Sequence, residues 1–461
     1  MELTYNIKDK PKFGRLIIFA FQQLLAILAA TIAVPAIIGN GMSQSAALFG
    51  AGIGTLVYLL FTKFSSPVFL GSSFAFIGSM FAAFAGGASA QLGYLGLICG
   101  AVFAGLVYVV IAIIVKIAGV KWINKLMPAV VIGPTVSIIG LSLATNAVAD
   151  LVKGKVLDAE GASVASPYVA LICGLVTLFT VILCSVYGKK MAKLIPFIIG
   201  ILAGYVVAVI FTLIGKATDN SALMVIDFSV FENLKIFAVP DFTFLSAFKA
   251  LSAHEVTGQY ITTVAVAYIP VAFVVFAEHI ADHKNLSSII GKELLEEPGL
   301  HRTLLGDGIG SMAGAFFGGC PNTTYGESVG CVAITGNASV ITILTTAIVA
   351  IIISFFGPFV TFLSTIPNCV MGGVCITLYG FIAVSGLKMI QNVDLGNNRN
   401  LFVVAVILIC GIGGLTVTFG KVTITAIACA LILGIITNAI LPNDQKVVEV
   451  AEVAETGEND A

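Results

Sequence analysis

The sequence predicts an all-α polytopic membrane protein. Hydrophobic residues make up 58% of its 461 residues and charged residues only 10%, and the mean hydropathy is +1.07. A soluble globule of this length could not bury so much apolar surface. A helix that crosses a bilayer needs about 20 consecutive apolar residues, and such runs recur from one end of the chain to the other. We therefore expect the lipid bilayer to surround the chain.

These apolar runs give fourteen candidate spans. The first, at residues 16–38, is too long for the core of a signal peptide and is followed by no small-residue cleavage site. We therefore expect it to remain as the first helix, with no leader removed. The candidates lie near 15–38, 46–62, 67–87, 92–117, 128–149, 167–188, 194–215, 259–281, 302–319, 325–337, 339–363, 368–390, 401–419 and 421–441.

The basic residues set the expected orientation. With the N-terminus in the cytoplasm, 17 of the 23 Lys and Arg residues fall on the inside, which agrees with the positive-inside rule. Both termini are then cytoplasmic. The net charge of −1 and the scattered single cations give no sign of a nucleic-acid partner.

The sequence gives no sign of a metal site, a cofactor or an enzyme. The nine cysteines form no CxxC pair and mostly lie inside apolar runs, which is typical of helix packing. The connections contain no metal-ligand spacing, nucleophile elbow or phosphate loop.

The longest polar connection indicates two halves. Residues 216–257 fall on the outside, between the seventh and eighth spans. Because seven is an odd number, the second half must enter the membrane from the opposite side. This arrangement predicts a 7+7 inverted repeat.

The third and tenth spans are interrupted. Residues 67–76 combine Pro, Gly and paired Ser with β-favouring residues, and residues 318–327 precede a short apolar run. Paired broken segments at corresponding positions of two halves indicate a binding site near the midplane. Non-helical backbone is tolerated at that depth where it lines a cavity or is buried in protein.

Two acids inside apolar stretches are the main candidates for function. Glu278 and Glu327 each lie in a span, where a carboxylate is costly unless it is protonated, paired or faces a water-filled site. The alternative for Glu278 is a structural salt bridge, but its own apolar run contains no Lys or Arg. Both are predicted to face a substrate or proton pathway.

Four more polar residues have two interpretations each. Asp282 follows Glu278 by one helical turn and is either a proton relay or a solvated cap. His279 and His283 either handle protons or make hydrogen bonds at the helix end. Asp307, inside the ninth span and without an evident partner, is either functional or hydrogen-bonded to a neighbouring span.

Several motifs together resemble one transporter family, and the likeness covers nearly the whole chain. The segments that carry it are Ala277-Glu-His-Ile280, Glu296-Glu-Pro-Gly-Leu-His-Arg302, Pro321-Asn-Thr-Thr-Tyr-Gly-Glu327, Gly71-Ser-Ser-Phe-Ala-Phe76 and Val370-Met-Gly-Gly373 with Tyr379. They resemble the uracil permease branch of the nucleobase–ascorbate transporter family. The resemblance implies fourteen spans, with a short strand and a half-helix in spans three and ten.

The resemblance also implies a division into domains. A core domain would comprise residues 1–126 (spans 1–4) and 259–366 (spans 8–11), and a gate domain residues 127–258 (spans 5–7) and 367–442 (spans 12–14). Residues 443–461 form an acidic cytoplasmic tail to which no chemistry is assigned. Relatives suggest a homodimer formed through the gate domain.

The implied ligand is a planar, neutral base. Uracil has two ring N–H donors and two carbonyl acceptors, so its site needs carboxylate acceptors and free backbone amides. Aromatic rings could stack on it or meet its edge, although plain packing is the alternative for Phe74 and Tyr379. Carried over from the family, the base-binding groups are Ala30, the backbone at Phe74, Glu278, Tyr325, the backbone at Gly326, Glu327 and Tyr379.

The chain departs from the family pattern at three places. Ser328 replaces the amide that usually follows the second glutamate. Gln22-Gln23 stands where relatives have a Gln-His pair. Asp282 occupies a position that is histidine in some relatives. The candidates for proton coupling are the titratable residues inside or next to the apolar spans, namely Glu278, Asp282, His279, Glu327 and Asp307.

The expected function is proton-coupled uptake of uracil across the plasma membrane by alternating access. One alternative is a purine permease of the same family, for xanthine or urate. Another is an anion exchanger or channel of the same architecture, which would favour a fixed cation where spans three and ten cross, whereas this chain has acids there.

Overall fold

The structure is a computed structural model. It describes residues 3–119, 128–158, 160, 162–189, 191–232, 234–253, 255–391, 393–419 and 422–441. The predicted tail at 443–461 lies outside the described residues. So do five of the lysines used for the orientation, namely Lys121, Lys125, Lys190, Lys421 and Lys446.

The described chain is mostly helical. Its α-helices, numbered here in chain order, are α1 (Phe13–Ile38), α2 (Gln44–Phe61), α3 (Ile77–Ala85), α4 (Ala90–Ala118), α5 (Ala129–Ser142), α6 (Ala144–Asp150), α7 (Pro167–Tyr187), α8 (Met191–Leu194), α9 (Pro196–Thr218), α10 (Thr243–Ser252), α11 (Gly258–Ile290), α12 (Leu300–Gly318), α13 (Gly326–Thr335), α14 (Val340–Ile353), α15 (Gly357–Thr365), α16 (Asn368–Met389), α17 (Asn398–Ile412) and α18 (Ala426–Ile440). The strands are β1 (Leu70–Ser72), β2 (Asn322–Thr324), β3 (Val417–Phe419) and β4 (Val422–Ile424).

Eight helices of the described chain are long and apolar enough to cross a membrane. They are Phe13–Ile38, Gln44–Phe61, Ala90–Ala118, Ala129–Asp150 (α5 and α6 taken together), Pro167–Tyr187, Pro196–Thr218, Gly258–Ile290 and Asn368–Met389. Shorter apolar helices lie at Phe74–Ala85, Val340–Ile353, Asn398–Ile412 and Ala426–Ile440. The chain is therefore an integral membrane protein, and the fourteen-span repeat remains a prediction.

Three predicted spans have the wrong limits. The span predicted at 259–281 continues as α11 to Ile290, because its polar last turns pack against other protein segments. The span predicted at 401–419 ends at Ile412, where Gly413 and Gly414 follow and Gly414 adopts a φ of 71°. The span predicted at 421–441 begins at Ala426. The β-branched residues between α17 and α18 form the antiparallel hairpin β3–β4 instead.

The span predicted at 339–363 consists of two helices, α14 and α15. Pro358 lies in the first turn of α15, where its missing N–H costs no helical hydrogen bond. The break between the two helices falls at residues 354–356.

Strands β1 and β2 pair antiparallel in the interior. Leu70 pairs with Thr324, and Ser72 with Asn322. All six residues are buried, so the ladder supplies partners for backbone groups that have no access to water. Each strand leads into a helical segment, β1 into the 3-10 turn Phe74–Phe76 and α3, and β2 into α13.

Helices α2 and α12 approach closely through glycines. A methyl group at Gly50 would lie 2.5 Å from the carbonyl oxygen of Gly314, and one at Gly54 would lie 2.8 Å from that of Gly310. Small residues at such contacts let helix backbones pack closely within a membrane. Strand β2 lies against this helix contact, because the Asn322 side chain packs on Gly54 and Gly314.

Candidate functional site

The described residues line a half-open cavity of about 350 Å³ with two unlike walls. The first wall is rich in polar groups and comes from the segment that follows β1, from α11, from β2 and from the start of α13. It consists of Ser73, Phe74, Ala75, Glu278, Ala281, Asp282, Thr323, Thr324, Tyr325, Gly326 and Glu327. The second wall is mainly apolar and comes from α5, α9 and α16. It consists of Val136, Ile139, Phe197, Leu378, Phe381, Ile382, Ser385 and Met389.

Three carboxyl groups line the first wall. Glu278 and Asp282 lie one turn apart on α11. Glu327 lies in the first turn of α13, where the helix dipole favours a negative charge. Thr324 donates a hydrogen bond of 2.8 Å from Oγ1 to Asp282 Oδ2. The wall therefore offers several oxygen acceptors to a ligand or a proton.

Two helical segments begin at the cavity. The turn Phe74–Phe76 follows Ser73, and α13 follows Tyr325; both preceding residues are extended and neither caps its helical segment with a side chain. The first N–H groups of a helix have no partner within the helix. The cavity wall thus combines backbone donors with carboxyl acceptors.

Aromatic side chains frame these helix starts. The hydroxyl of Tyr325 donates to the Ser72 carbonyl at 2.8 Å, and its backbone N–H donates to the Phe69 carbonyl at 3.3 Å. The ring of Tyr325 fills the space that a side chain at Gly71 would need. Phe74 meets Tyr379 edge-on, with ring centroids 6.0 Å apart.

Two of the departures from the family pattern contact each other. Gln23 of α1 donates from Nε2 to Ser328 Oγ at 2.5 Å, and both side chains are buried. Ser328 Oγ also accepts the backbone N–H of Phe69 at 3.1 Å. A hydroxyl at position 328 therefore joins α13 to α1 and to the segment before β1.

The structure brings together only some of the predicted site residues. Glu278, Asp282, Glu327, Phe74, Tyr325 and Gly326 line the cavity. Ala30 is buried within α1 and Tyr379 within α16, and neither lines the cavity. Tyr379 is one aromatic contact away, through Phe74.

Asp282 is not a solvated helix cap. Helix α11 continues beyond it to Ile290, and Gly291 provides the C-cap. The cap interpretation was wrong because the apolar stretch of sequence ends several residues before the helix does.

His279 and Asp307 form a separate, fully buried pair. His279 Nδ1 lies 2.7 Å from Asp307 Oδ2, and His279 Nε2 lies 2.9 Å from Thr303 Oγ1. Asp307 thus has a partner on the neighbouring helix, and neither residue lines the cavity. His283 Nδ1 lies 2.8 Å from the His279 carbonyl, and its Nε2 lies 2.7 Å from the Tyr58 hydroxyl.

The sequence reasoning missed the whole second wall. On α16, Phe381, Ser385 and Met389 recur at four-residue spacing, a period that places them on one helix face. The only local signal was a lone serine in an apolar helix, which packing usually explains. Thr323 and Thr324 were part of the quoted motif but received no role. Among the described residues, no group of three or more His, Cys, Asp or Glu side chains could hold a metal ion.

Carboxyl groups that line a cavity inside a helical membrane protein are typical of transport proteins. A family model described as a permease family matches residues 14–420. The chain belongs to this family, that of the nucleobase–ascorbate transporters, which confirms the resemblance found in the sequence.

The relatives match over nearly their whole length. The chain is 39% identical over 448 residues to the uracil permease of Bacillus caldolyticus, covering 96% of each chain. It is 37% identical over 462 residues to the uracil permease of Bacillus subtilis, covering 99% of this chain and 98% of the relative. It is 33% identical over 432 residues to the uracil permease of Escherichia coli K12, covering 93% of this chain and 92% of the relative.

Solved structures of distant proteins share the fold. The transmembrane domain of the cyanobacterial bicarbonate transporter BicA matches with a TM-score of 0.63 at 17% identity, covering 94% of this chain and 100% of that one. Murine solute carrier 26 family member A9, an anion transporter in the inward-facing state, matches with a TM-score of 0.63 at 13% identity, covering 97% and 70%.

Proposed function

We propose that the protein takes up uracil together with protons across the cytoplasmic membrane by alternating access. One observation carries the proposal: Glu278 and Glu327, from two different helices, line one cavity with the uncapped helix starts at Phe74 and Gly326. The three uracil permeases compared above, at 33–39% identity, support uracil as the substrate.

The chemistry of the first wall matches the edges of uracil. The two carboxyl groups accept the ring N–H groups, and the backbone N–H groups at the two helix starts donate to the carbonyl oxygens. Phe74 and Tyr325 border the flat faces of the ring. The family resemblance also assigns Ala30 and Tyr379 to the base. Ala30 acts from α1, and Tyr379 acts from α16, on the side of the second wall, through its contact with Phe74.

The two walls support a division into a core and a gate domain. Every residue of the first wall lies within 1–126 or 259–366, and every residue of the second within 127–258 or 367–442. In this proposal the fold is a 7+7 inverted repeat of fourteen spans. The core carries the base past the gate, both termini are cytoplasmic, and two gate domains form a homodimer.

Proton entry supplies the driving force. Three ionised carboxyl groups around one cavity would repel one another, so a proton that enters with the base relieves this repulsion. It also draws on about 2.3 kcal/mol per 100 mV of membrane potential and about 1.36 kcal/mol per unit of pH difference. Glu278, Glu327 and Asp282 are the direct candidates; His279 and Asp307 would act through the backbone next to Glu278.

Uptake into vesicles with an imposed pH gradient tests the proposal. We expect labelled uracil to accumulate when the inside is alkaline, and to be competed by unlabelled uracil more strongly than by xanthine or thymine. Preferred uptake of xanthine would favour the purine alternative. Uracil uptake that is indifferent to the gradient would overturn the coupling.

Glu278→Gln is the first variant to test. The amide removes the charge and presents a donor where uracil presents an N–H group, so we expect accumulation to be abolished and uracil binding to weaken at least tenfold. Glu232→Gln, which changes an exposed glutamate outside the cavity, is the matched control. A Glu278→Gln protein that concentrates uracil at the parent rate would exclude this role.

A further inference from the structure

A second, much smaller void lies behind β2. Its volume is about 10 Å³, and its polar lining residues are Tyr108 of α4, Ser311 of α12, and Asn322 and Thr323 of β2. Thr323 also lines the main cavity. One strand residue therefore separates the void from the cavity.

Two residues that line this void each carry a buried polar atom with no hydrogen-bond partner within the described residues. These atoms are the Tyr108 hydroxyl and Asn322 Oδ1, on residues that are 4% and 1% exposed. Asn322 Nδ2 donates to the Gly50 carbonyl at 3.0 Å, which fixes the orientation of the amide. Asn322 Oδ1 can only accept a hydrogen bond, whereas the Tyr108 hydroxyl needs an acceptor for its proton.

We propose that the void is the binding site of a single structural water that bridges Tyr108 and Asn322. A cavity needs roughly 10–15 Å³ to hold one water. A water can donate to Asn322 Oδ1 and accept from the Tyr108 hydroxyl at the same time, with capacity left for Ser311 or Thr323. A cation would satisfy Asn322 Oδ1 but could not accept the phenolic proton, and no acid lines the void.

This water connects the first wall of the cavity to the helices on the far side of β2. We call this connection the brace. The water ties β2, which leads into Tyr325, Gly326 and Glu327, to α4. Tyr108 is thus a positioning residue that acts on the cavity through Asn322. Its loss should weaken uracil binding more than it slows transport.

Experimental density can show whether a water occupies the void, whichever substrate the protein carries. In a structure of the full chain in lipid nanodiscs at about 2 Å, we expect one peak within 2.6–3.2 Å of both the Tyr108 and Asn322 oxygens. The peak should vanish in Tyr108→Phe. No peak in the parent, or a peak at the shorter distances of a coordinated cation, would overturn the proposal.

Transport kinetics test the brace. For Tyr108→Phe we expect the KM for uracil to rise about fivefold, as loss of about 1 kcal/mol implies, with the maximal rate per folded molecule unchanged. Val275 also lines the void, so Val275→Ile should displace the water and raise KM similarly. Val274→Ile, equally buried but not at the void, is the control. If Val275→Ile does not fold, Tyr108→Phe decides alone, and an unchanged KM there overturns the brace.

Discussion

Ser328 stands where the family pattern usually has an amide, and its hydroxyl has two buried partners. Its hydroxyl accepts both Gln23 Nε2 and the Phe69 backbone N–H. Two departures from the family pattern therefore contact each other directly, and the contact can be tested as a pair.

Removing this hydroxyl should destabilise the protein. Ser328→Ala leaves two buried donors without an acceptor, at a cost of about 1–3 kcal/mol for each, so we expect a clear fall in Tm. Gln23→Ala should cost less, and combining the two should cost less than the sum, because one shared contact is lost only once. Thermal unfolding in detergent measures all three.

Gln22→Ala is the matched control, since Gln22 is the adjacent, half-buried glutamine and contacts Met191 instead. Additive effects of the Gln23 and Ser328 changes would show that the two side chains do not act as a pair.

Part of the site could be predicted from single residues. Glu278 and Glu327 are conspicuous because an acid in an apolar run needs a partner or a cavity. The partner of Asp307 could not be predicted, because His279 lies on a different helix and only the packing of α11 against α12 brings the two together. The second wall was missed for the same reason, since a lone serine such as Ser385 is usually explained by packing until its helix is seen to face the acids.

At the scale of elements, the interrupted spans position the site. Strands β1 and β2 satisfy each other's backbone groups, so two helical segments can begin in the interior without exposing unpaired groups to lipid. Gly71 is central to this arrangement, because the Tyr325 ring lies where its side chain would be.

Gly71→Ala should therefore displace Tyr325 in the first wall of the cavity. The added methyl group would lie 2.9 Å from the Tyr325 hydroxyl oxygen and closer still to the ring carbons, so the ring must move away from Ser72. We expect uracil affinity to fall at least tenfold, measured by equilibrium binding to purified protein. Gly330→Ala in α13, where a methyl group meets no atom within 4 Å, is the control. Unchanged affinity in Gly71→Ala would mean that Tyr325 does not shape the site.

Helix limits show where sequence patterns stop being informative. An apolar window locates the middle of a span but not its end. Helix α11 outlasts its apolar stretch because its polar end packs on protein, with His283 hydrogen-bonded to Tyr58. Helix α17 stops early because Gly413 and Gly414 follow Ile412, although the sequence stays apolar beyond them.

At the scale of the whole molecule, the cavity is a boundary between two groups of helices. The first wall carries nearly all the polar groups, and the second is mainly apolar. An apolar surface makes no hydrogen bonds that must be broken when a polar partner slides past it. This asymmetry suits a mechanism in which the substrate stays bound to the first wall while the first wall moves along the apolar second wall.

Linking the two walls covalently should stop transport. Ala281 on the first wall and Ser385 on the second line the same cavity, so Ala281→Cys with Ser385→Cys allows a short bis-maleimide to join them. If the walls must move past each other, the linked protein will lose uracil uptake, while each single variant treated with the reagent will keep more of it. The parent chain, whose nine free cysteines are buried or half-buried, reports any effect of the reagent alone.

Cross-linking confirmed by mass spectrometry, with uptake equal to that of the singly labelled proteins, would mean that the base crosses without relative motion of the walls. That result would exclude alternating access between these two groups of helices and leave a channel-like path through the cavity.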